Sequence, residues 1–100
     1  MMSKDAGEPR LEEAGGGGRF VFDLEDGLEA EMTWRPGPGG SMVIDHTYVP
    51  PQARNCGLAE KLVAAGARHA RQTGRKVIPA CSYAALQFRR RPEWRDLLAT

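Results

Sequence analysis

Cysteine, aromatic side chains and long apolar runs are all scarce in this chain. Its 100 residues include two cysteines, Cys56 and Cys81, which are too few for a disulfide scaffold and fit a reducing compartment. No stretch approaches the roughly 18 to 20 apolar residues that cross a bilayer, and the N-terminus lacks the apolar core of a secretory leader. We therefore expect a cytoplasmic protein with no membrane contact.

An excess of charge of one sign is also missing. Lysine and arginine total 14 against 13 aspartates and glutamates, so no overall field attracts nucleic acid or an anionic membrane surface. The histidines and cysteines show no paired ligand spacing, so we expect no metal site. A chain of this length forms one small domain, and its partners must be selected by a local site.

Hydrophobic periodicity predicts how the first half of the chain is organised. Residues 1–18 combine charge with a run of four glycines and are predicted to be a disordered tail. Alternating apolar residues predict strands over 19–24, 29–34 and 42–49, the first two joined by a turn at Asp26-Gly27. The domain is therefore expected to span residues 19–100.

The second half of the chain changes to helical spacing. A helix is predicted from Gly57 to about His69, with Gly74 as its stop. A short strand over residues 76–79 should lie parallel to the third, because a helix connects them. Ser82 is expected to cap a second helix, and residues 93–98 should form one more helical segment. This order predicts a mixed α/β or α+β fold.

The most informative segment joins the third strand to the first helix. Residues 54–59 read Arg-Asn-Cys-Gly-Leu-Ala. A loop that enters a helix presents unpaired N–H groups, and the helix dipole adds about half a positive charge at that end. A phosphate or pyrophosphate is the natural ligand of such a junction.

The spacing Arg-x-x-Gly-x-Ala resembles the pyrophosphate-binding turn of the GNAT-type N-acetyltransferases, whose pattern reads Gln/Arg-x-x-Gly-x-Gly/Ala. The flanking segments 46–51 (His-Thr-Tyr-Val-Pro-Pro) and 76–83 (Lys-Val-Ile-Pro-Ala-Cys-Ser-Tyr) resemble a subgroup of very short members. The resemblance implies a small GNAT-like fold with a twisted, mostly antiparallel sheet, a β-α-β crossover and a C-terminal helix, without the usual N-terminal helices. It also implies an acetyl-CoA-dependent enzyme that moves an acetyl group from the thioester to an amine.

By the same resemblance, the coenzyme pyrophosphate would lie on backbone N–H groups of the turn, with Arg54 as a nearby cation. The pantetheine arm would pair with the main chain of the preceding strand. The implied cofactor-binding residues are Thr47, Tyr48, Val49, Arg54, Asn55, Cys56, Gly57, Leu58 and Ala59. Asn55 stands where the short subgroup often has glycine, and it can adopt the left-handed conformation that glycine permits. Cys56 replaces a basic residue, which removes one phosphate contact.

Cys81 and Tyr83 are the catalytic candidates that the resemblance implies. Cys81 follows the last strand and precedes a helix, where a thiol is activated, and it would take the acetyl group before passing it on. Direct attack by the amine is the competing mechanism. Tyr83 would protonate the leaving thiolate. His46 is a weaker candidate base, expected to face a core neighbour, with Asp45 on the opposite face of the strand.

Three functions remain open at this level. The leading one is an N-acetyltransferase whose acceptor is a protein lysine, a terminal amine or a small amine. The second is a non-catalytic CoA-binding or sensing module. The third is a protein or nucleic-acid adaptor that uses Arg89, Arg90 and Arg91, which the neutral overall charge disfavours.

Overall fold

A five-stranded sheet, with its strands in sequence order, forms the frame of the protein; the computed structural model describes residues 7–99. Strands β1 to β4 are antiparallel neighbours, and β5 is parallel to β4. The strands are β1 (Arg10–Ala14), β2 (Gly17–Asp23), β3 (Glu29–Pro36), β4 (Met42–Tyr48) and β5 (Val77–Pro79). The helices are α1 (Leu58–Thr73) and α2 (Ser82–Arg90), followed by a 3-10 segment over Pro92–Leu97. The predicted mixed fold is confirmed.

The first strand corrects the prediction of a disordered tail. Arg10–Ala14 pairs with β2, and two glycines between them turn the chain at φ angles of 61° and 83°. The next glycine, Gly17, lies where a β-carbon would approach the Trp34 carbonyl oxygen to 2.7 Å. The glycine run is therefore a tight turn and a close strand contact rather than a linker. Residues 1–6 of the expected tail lie outside the described residues.

The predicted turn between β2 and β3 is confirmed. Asp26 and Gly27 have φ angles of 62° and 72°, and the Leu24 N–H donates to the Leu28 carbonyl at 2.8 Å. Two consecutive positive φ angles twist the chain in the sense that adjacent antiparallel strands require. In the pairing that follows the turn, Ala30, Met32 and Trp34 are all buried on one face of β3.

The core lies between that face of the sheet and the helices. α1 contributes Leu62 and Val63, both fully buried, against β3 and β4. Gly66 lets the helix approach closely, because a β-carbon there would meet the end of the Met32 side chain at 2.6 Å. The C-terminal segment closes the same core, with Trp94 packed on Phe88 at a ring separation of 5.0 Å.

The opposite face of the sheet carries an ion-pair lattice. Arg19 contacts Glu31 at 2.8 Å and Glu12 at 2.7 Å, and Arg10 contacts Asp23 at 2.7 Å. These side chains are 27 to 43% exposed, so solvent screens the pairs and each contributes about 0 to 1 kcal/mol. Stability therefore comes mainly from the apolar face that the helices cover.

Replacing Leu62 by alanine should lower the free energy of unfolding by about 2 to 5 kcal/mol, since its fully buried side chain would leave a cavity under α1. Chemical denaturation measures the change. The exposed neighbour Lys61 provides the control, because Lys61→Ala should stay within about 0.5 kcal/mol of the wild type. A loss below about 1 kcal/mol for Leu62→Ala would place the core elsewhere.

Candidate active site

The two strands nearest the site separate part of the way along. β5 pairs with β4 only from Met42 to Ile44. Both the Ala80 and the Cys81 N–H donate to the Ile44 carbonyl, at 2.8 and 3.0 Å, as the chain turns away. Within residues 7–99, the part of β4 beyond Ile44 pairs with β3 and with no strand on its other side. A backbone edge is thus left open next to Cys81, as peptide-like ligands that add a strand require.

The turn after β4 presents unpaired donors. Arg54 holds it against the strand, its Nε donating to the Val49 carbonyl at 2.8 Å. Asn55 has a φ of 65°, so the predicted left-handed conformation is confirmed. Gly57 is the N-cap residue of α1 and has no side chain to cap the helix. Within residues 7–99 no acceptor takes the N–H groups of Asn55 through Ala59. This end of the helix is therefore open to an anion.

A cavity of about 320 Å³ lies over this helix end. Its walls include seven of the residues singled out from the sequence and one that was missed; they are Val49, Arg54, Asn55, Gly57, Leu58, Ala59, Tyr83 and Glu60. The missed residue, Glu60, places a carboxylate in the first turn of α1, where it interacts with the same helix dipole that would attract an anion. The amphipathic pattern of α1 predicts only a solvent-exposed position for Glu60. Its place on the cavity wall is evident only from the fold.

The remaining cofactor-binding candidates lie outside this cavity. Cys56 is exposed, and its thiol contacts the Arg54 carbonyl at 3.7 Å. Tyr48 is 43% exposed, and Thr47 is half-buried on the open part of β4. The structure therefore gathers most of the turn around one cavity and places the β4 residues along the adjoining edge.

Cys81 is the N-cap of α2, which corrects the prediction of Ser82. Its Sγ accepts the Ala84 N–H at 3.3 Å and lies 3.5 Å from the Thr47 hydroxyl oxygen. Sulfur is a weak acceptor and an uncommon cap, so residue preferences favour serine at this position. The half-buried Cys81 and the exposed Cys56 are both free thiols.

Tyr83 lies in the first turn of α2, facing the cavity. Its phenol oxygen accepts a hydrogen bond from Gln87 Nε2 at 3.2 Å. Burial raises the pKa of Tyr83 above its ordinary value, and the Glu60 carboxylate raises it further. The phenol is consequently protonated at neutral pH and able to donate a proton.

Both expectations for His46 and Asp45 are wrong. The pairing of β3 with β4 shifts between Thr33 and Trp34, so β4 carries one extra residue there. Asp45 accepts the Thr33 hydroxyl at 2.6 Å, and the exposed His46 lies 3.6 Å from Glu31. Both side chains are therefore on the ion-pair face, because a bulge interrupts the alternation that a regular strand would show.

The arginine run lies at the end of α2 and does not line the cavity by the turn. Arg91 lies over the Trp94 ring at 4.9 Å and 3.7 Å from Glu93. Arg89 and Arg95 flank a second, apolar cavity of about 430 Å³ beside β5. Within residues 7–99, no group of three or more histidine, cysteine or acidic side chains is placed to hold a metal ion, and none of the helices is long and apolar enough to cross a membrane.

Comparison with known proteins identifies the family. Residues 19–97 match the family model described as GCN5-related N-acetyl-transferase. The chain also superposes on the NMR solution structure of a GCN5-like candidate N-acetyltransferase from Staphylococcus aureus, with a TM-score of 0.69 and 27% identity over 92% of this chain and 89% of that one. The protein therefore belongs to the GCN5-related N-acetyltransferases, the GNAT superfamily that residues 54–59 indicated. Acetyl transfer is the activity that the family assignment supports.

An alkaline titration tests the environment of Tyr83. The native state holds the phenolic proton of Tyr83 more tightly than the unfolded chain does, so protonation of Tyr83 contributes to the free energy of unfolding. That contribution is complete below pH 10.0 and is lost as the pH rises through the native pKa of Tyr83. The difference in near-ultraviolet phenolate absorbance between wild type and Tyr83→Phe should show a midpoint above pH 10.0. A midpoint at or below that value would mean that the phenol is solvated.

Proposed function

We propose that this protein transfers the acetyl group of acetyl-CoA to an amine, and that the turn over residues 54–59 holds the coenzyme pyrophosphate. The observation that carries the proposal is the uncapped start of α1, whose unpaired N–H groups line a cavity together with Arg54. Backbone donors, a helix dipole and a guanidinium converge there, and a pyrophosphate satisfies all three.

The separated strands support a place for the pantetheine arm. That arm carries amide groups, so it can pair with the open edge of β4 at Thr47, Tyr48 and Val49 as an added strand does. The turn lies at the end of β4, and Cys81 follows the end of β5. An arm that runs from the turn along the open edge brings its thioester towards Cys81.

Two residues supply the chemistry in this proposal. The Cys81 sulfur attacks the acetyl carbonyl carbon, the bond from that carbon to the CoA sulfur breaks, and the thiol proton ends on the departing CoA sulfur. The protonated phenol of Tyr83 lies on the cavity wall. It donates its proton to the departing CoA sulfur and takes up the proton that Cys81 loses. An acceptor amine then attacks the acetyl-cysteine, forms the amide and returns a proton to Cys81. In direct transfer the same amine attacks the CoA thioester itself.

Calorimetric titration with CoA tests the anion site. Ala59→Asp adds a carboxylate to the first turn of α1, where the dipole favours it, so the fold should persist while CoA binds on the order of tenfold more weakly. Gln72→Glu adds the same charge near the other end of the helix and should leave CoA affinity unchanged within about twofold.

Glu60→Gln should change affinity in the opposite direction. Removing its negative charge from the cavity wall should tighten CoA binding about two- to fivefold. Equal CoA affinity for wild type, Ala59→Asp and Glu60→Gln would contradict the assignment of this helix end to the coenzyme.

Intact-mass spectrometry tests the covalent route. Incubation with acetyl-CoA should add one acetyl group to the wild type and to Cys56→Ser but none to Cys81→Ser. The amine-acetylation rate of Cys81→Ser should also fall at least about tenfold. Full transfer activity in Cys81→Ser would establish direct attack by the amine.

A further inference from the structure

The side chain of Thr47 contacts the thiol of Cys81. Resemblance assigns Thr47 only a main-chain contact with the coenzyme, for which the identity of its side chain is irrelevant. In the structure its hydroxyl oxygen lies 3.5 Å from Cys81 Sγ. The Ala84 N–H contacts the same sulfur at 3.3 Å, so polar groups from β4 and α2 converge on one thiol.

The bulge in β4 is the reason that Thr47 faces this way. Ile44 lies opposite Trp34 on the helix-covered face, and regular alternation would put residue 46 on that face next. The extra residue shifts the alternation by one position. Thr47 therefore pairs with the buried Met32 and points towards the helices, while His46 pairs with Thr33 on the ion-pair face.

A hydroxyl suits both states of a reacting thiol. It accepts a hydrogen bond from the neutral S–H group and donates one to the thiolate, whereas the Ala84 N–H only donates. Hydrogen bonds to an ionised partner are the stronger ones. The Thr47 hydroxyl can therefore stay bonded to the sulfur as the thiol loses its proton in a reaction, first accepting from the S–H group and then donating to the sulfur.

We propose that Thr47 is a positioning residue for Cys81, holding the thiol at the mouth of the gap between β4 and β5 and donating a hydrogen bond to its sulfur once the proton has left. The catalytic use of this contact rests on the proposed function, whereas the contact itself is testable through thiol chemistry alone. A residue chosen only to form strand would be valine or isoleucine as readily as threonine.

Alkylation by iodoacetamide in a Cys56→Ser background reports on Cys81 alone, because the chain has two cysteines. Thr47→Val keeps the β-branched shape and removes the hydroxyl, and it should slow alkylation at neutral pH about three- to tenfold. Thr47→Ser restores the hydroxyl and should bring the rate back to within about twofold of the parent. Thr33→Val makes the same change on the neighbouring strand, where the hydroxyl bonds to Asp45, and should have no effect.

Equal alkylation rates in the parent and Thr47→Val would overturn the proposal, as would a Thr47→Ser variant as slow as Thr47→Val. Amide correlation spectra establish that each variant is folded. If Thr47→Val does not fold, Thr47→Ala against Thr47→Ser supplies the same comparison. Slow alkylation of Thr47→Val, in a protein that does not bind CoA, would support the contact and reject the proposed function. Alkylation of Thr47→Val at the parent rate, in a protein that does bind CoA, would reject the contact alone.

Discussion

The separation of β4 and β5 at Ile44 is the constraint on which the rest of the candidate site depends. One carbonyl accepts two N–H groups, from Ala80 and Cys81, at the point where β5 stops. Because the chain turns there, the next four residues of β4 keep an unpaired backbone edge. Cys81 becomes the N-cap residue of α2. Had β5 continued, its ladder would have occupied the edge that the proposed pantetheine pairing requires.

The bulge in β4 directs the side chains beside this gap to two different faces of the sheet. Thr47 and Cys81 lie towards the helices, whereas Asp45 and His46 join the ion-pair face. The exposed charged pairs on that face contribute little stability individually, so the β2 to β4 ladder is held mainly by its apolar side. The charges on the ion-pair face can therefore differ without loss of the core.

Most of the fold and the turn of the candidate site follow from local patterns. Neighbouring residues along the chain determine the apolar alternation, the Asp26-Gly27 turn and the end of α1 at Gly74. The turn over residues 54–59 is also local, because it combines an uncapped helix start with small residues. β1 was missed because glycines in a turn and glycines in a linker have the same composition. The Thr47 to Cys81 contact was missed because it spans 34 positions and depends on a bulge that no residue type in β4 marks.

The central claim is that one coenzyme molecule occupies both the turn and the open strand edge. Two-dimensional amide correlation spectra recorded during titration with acetyl-CoA test it most directly. The account predicts that the amides of residues 55–59 and 47–49 shift together, with the same saturation point, and that Cys81 shifts with them. Shifts confined to the second cavity beside Arg89 and Arg95, or none in residues 55–59, would contradict it.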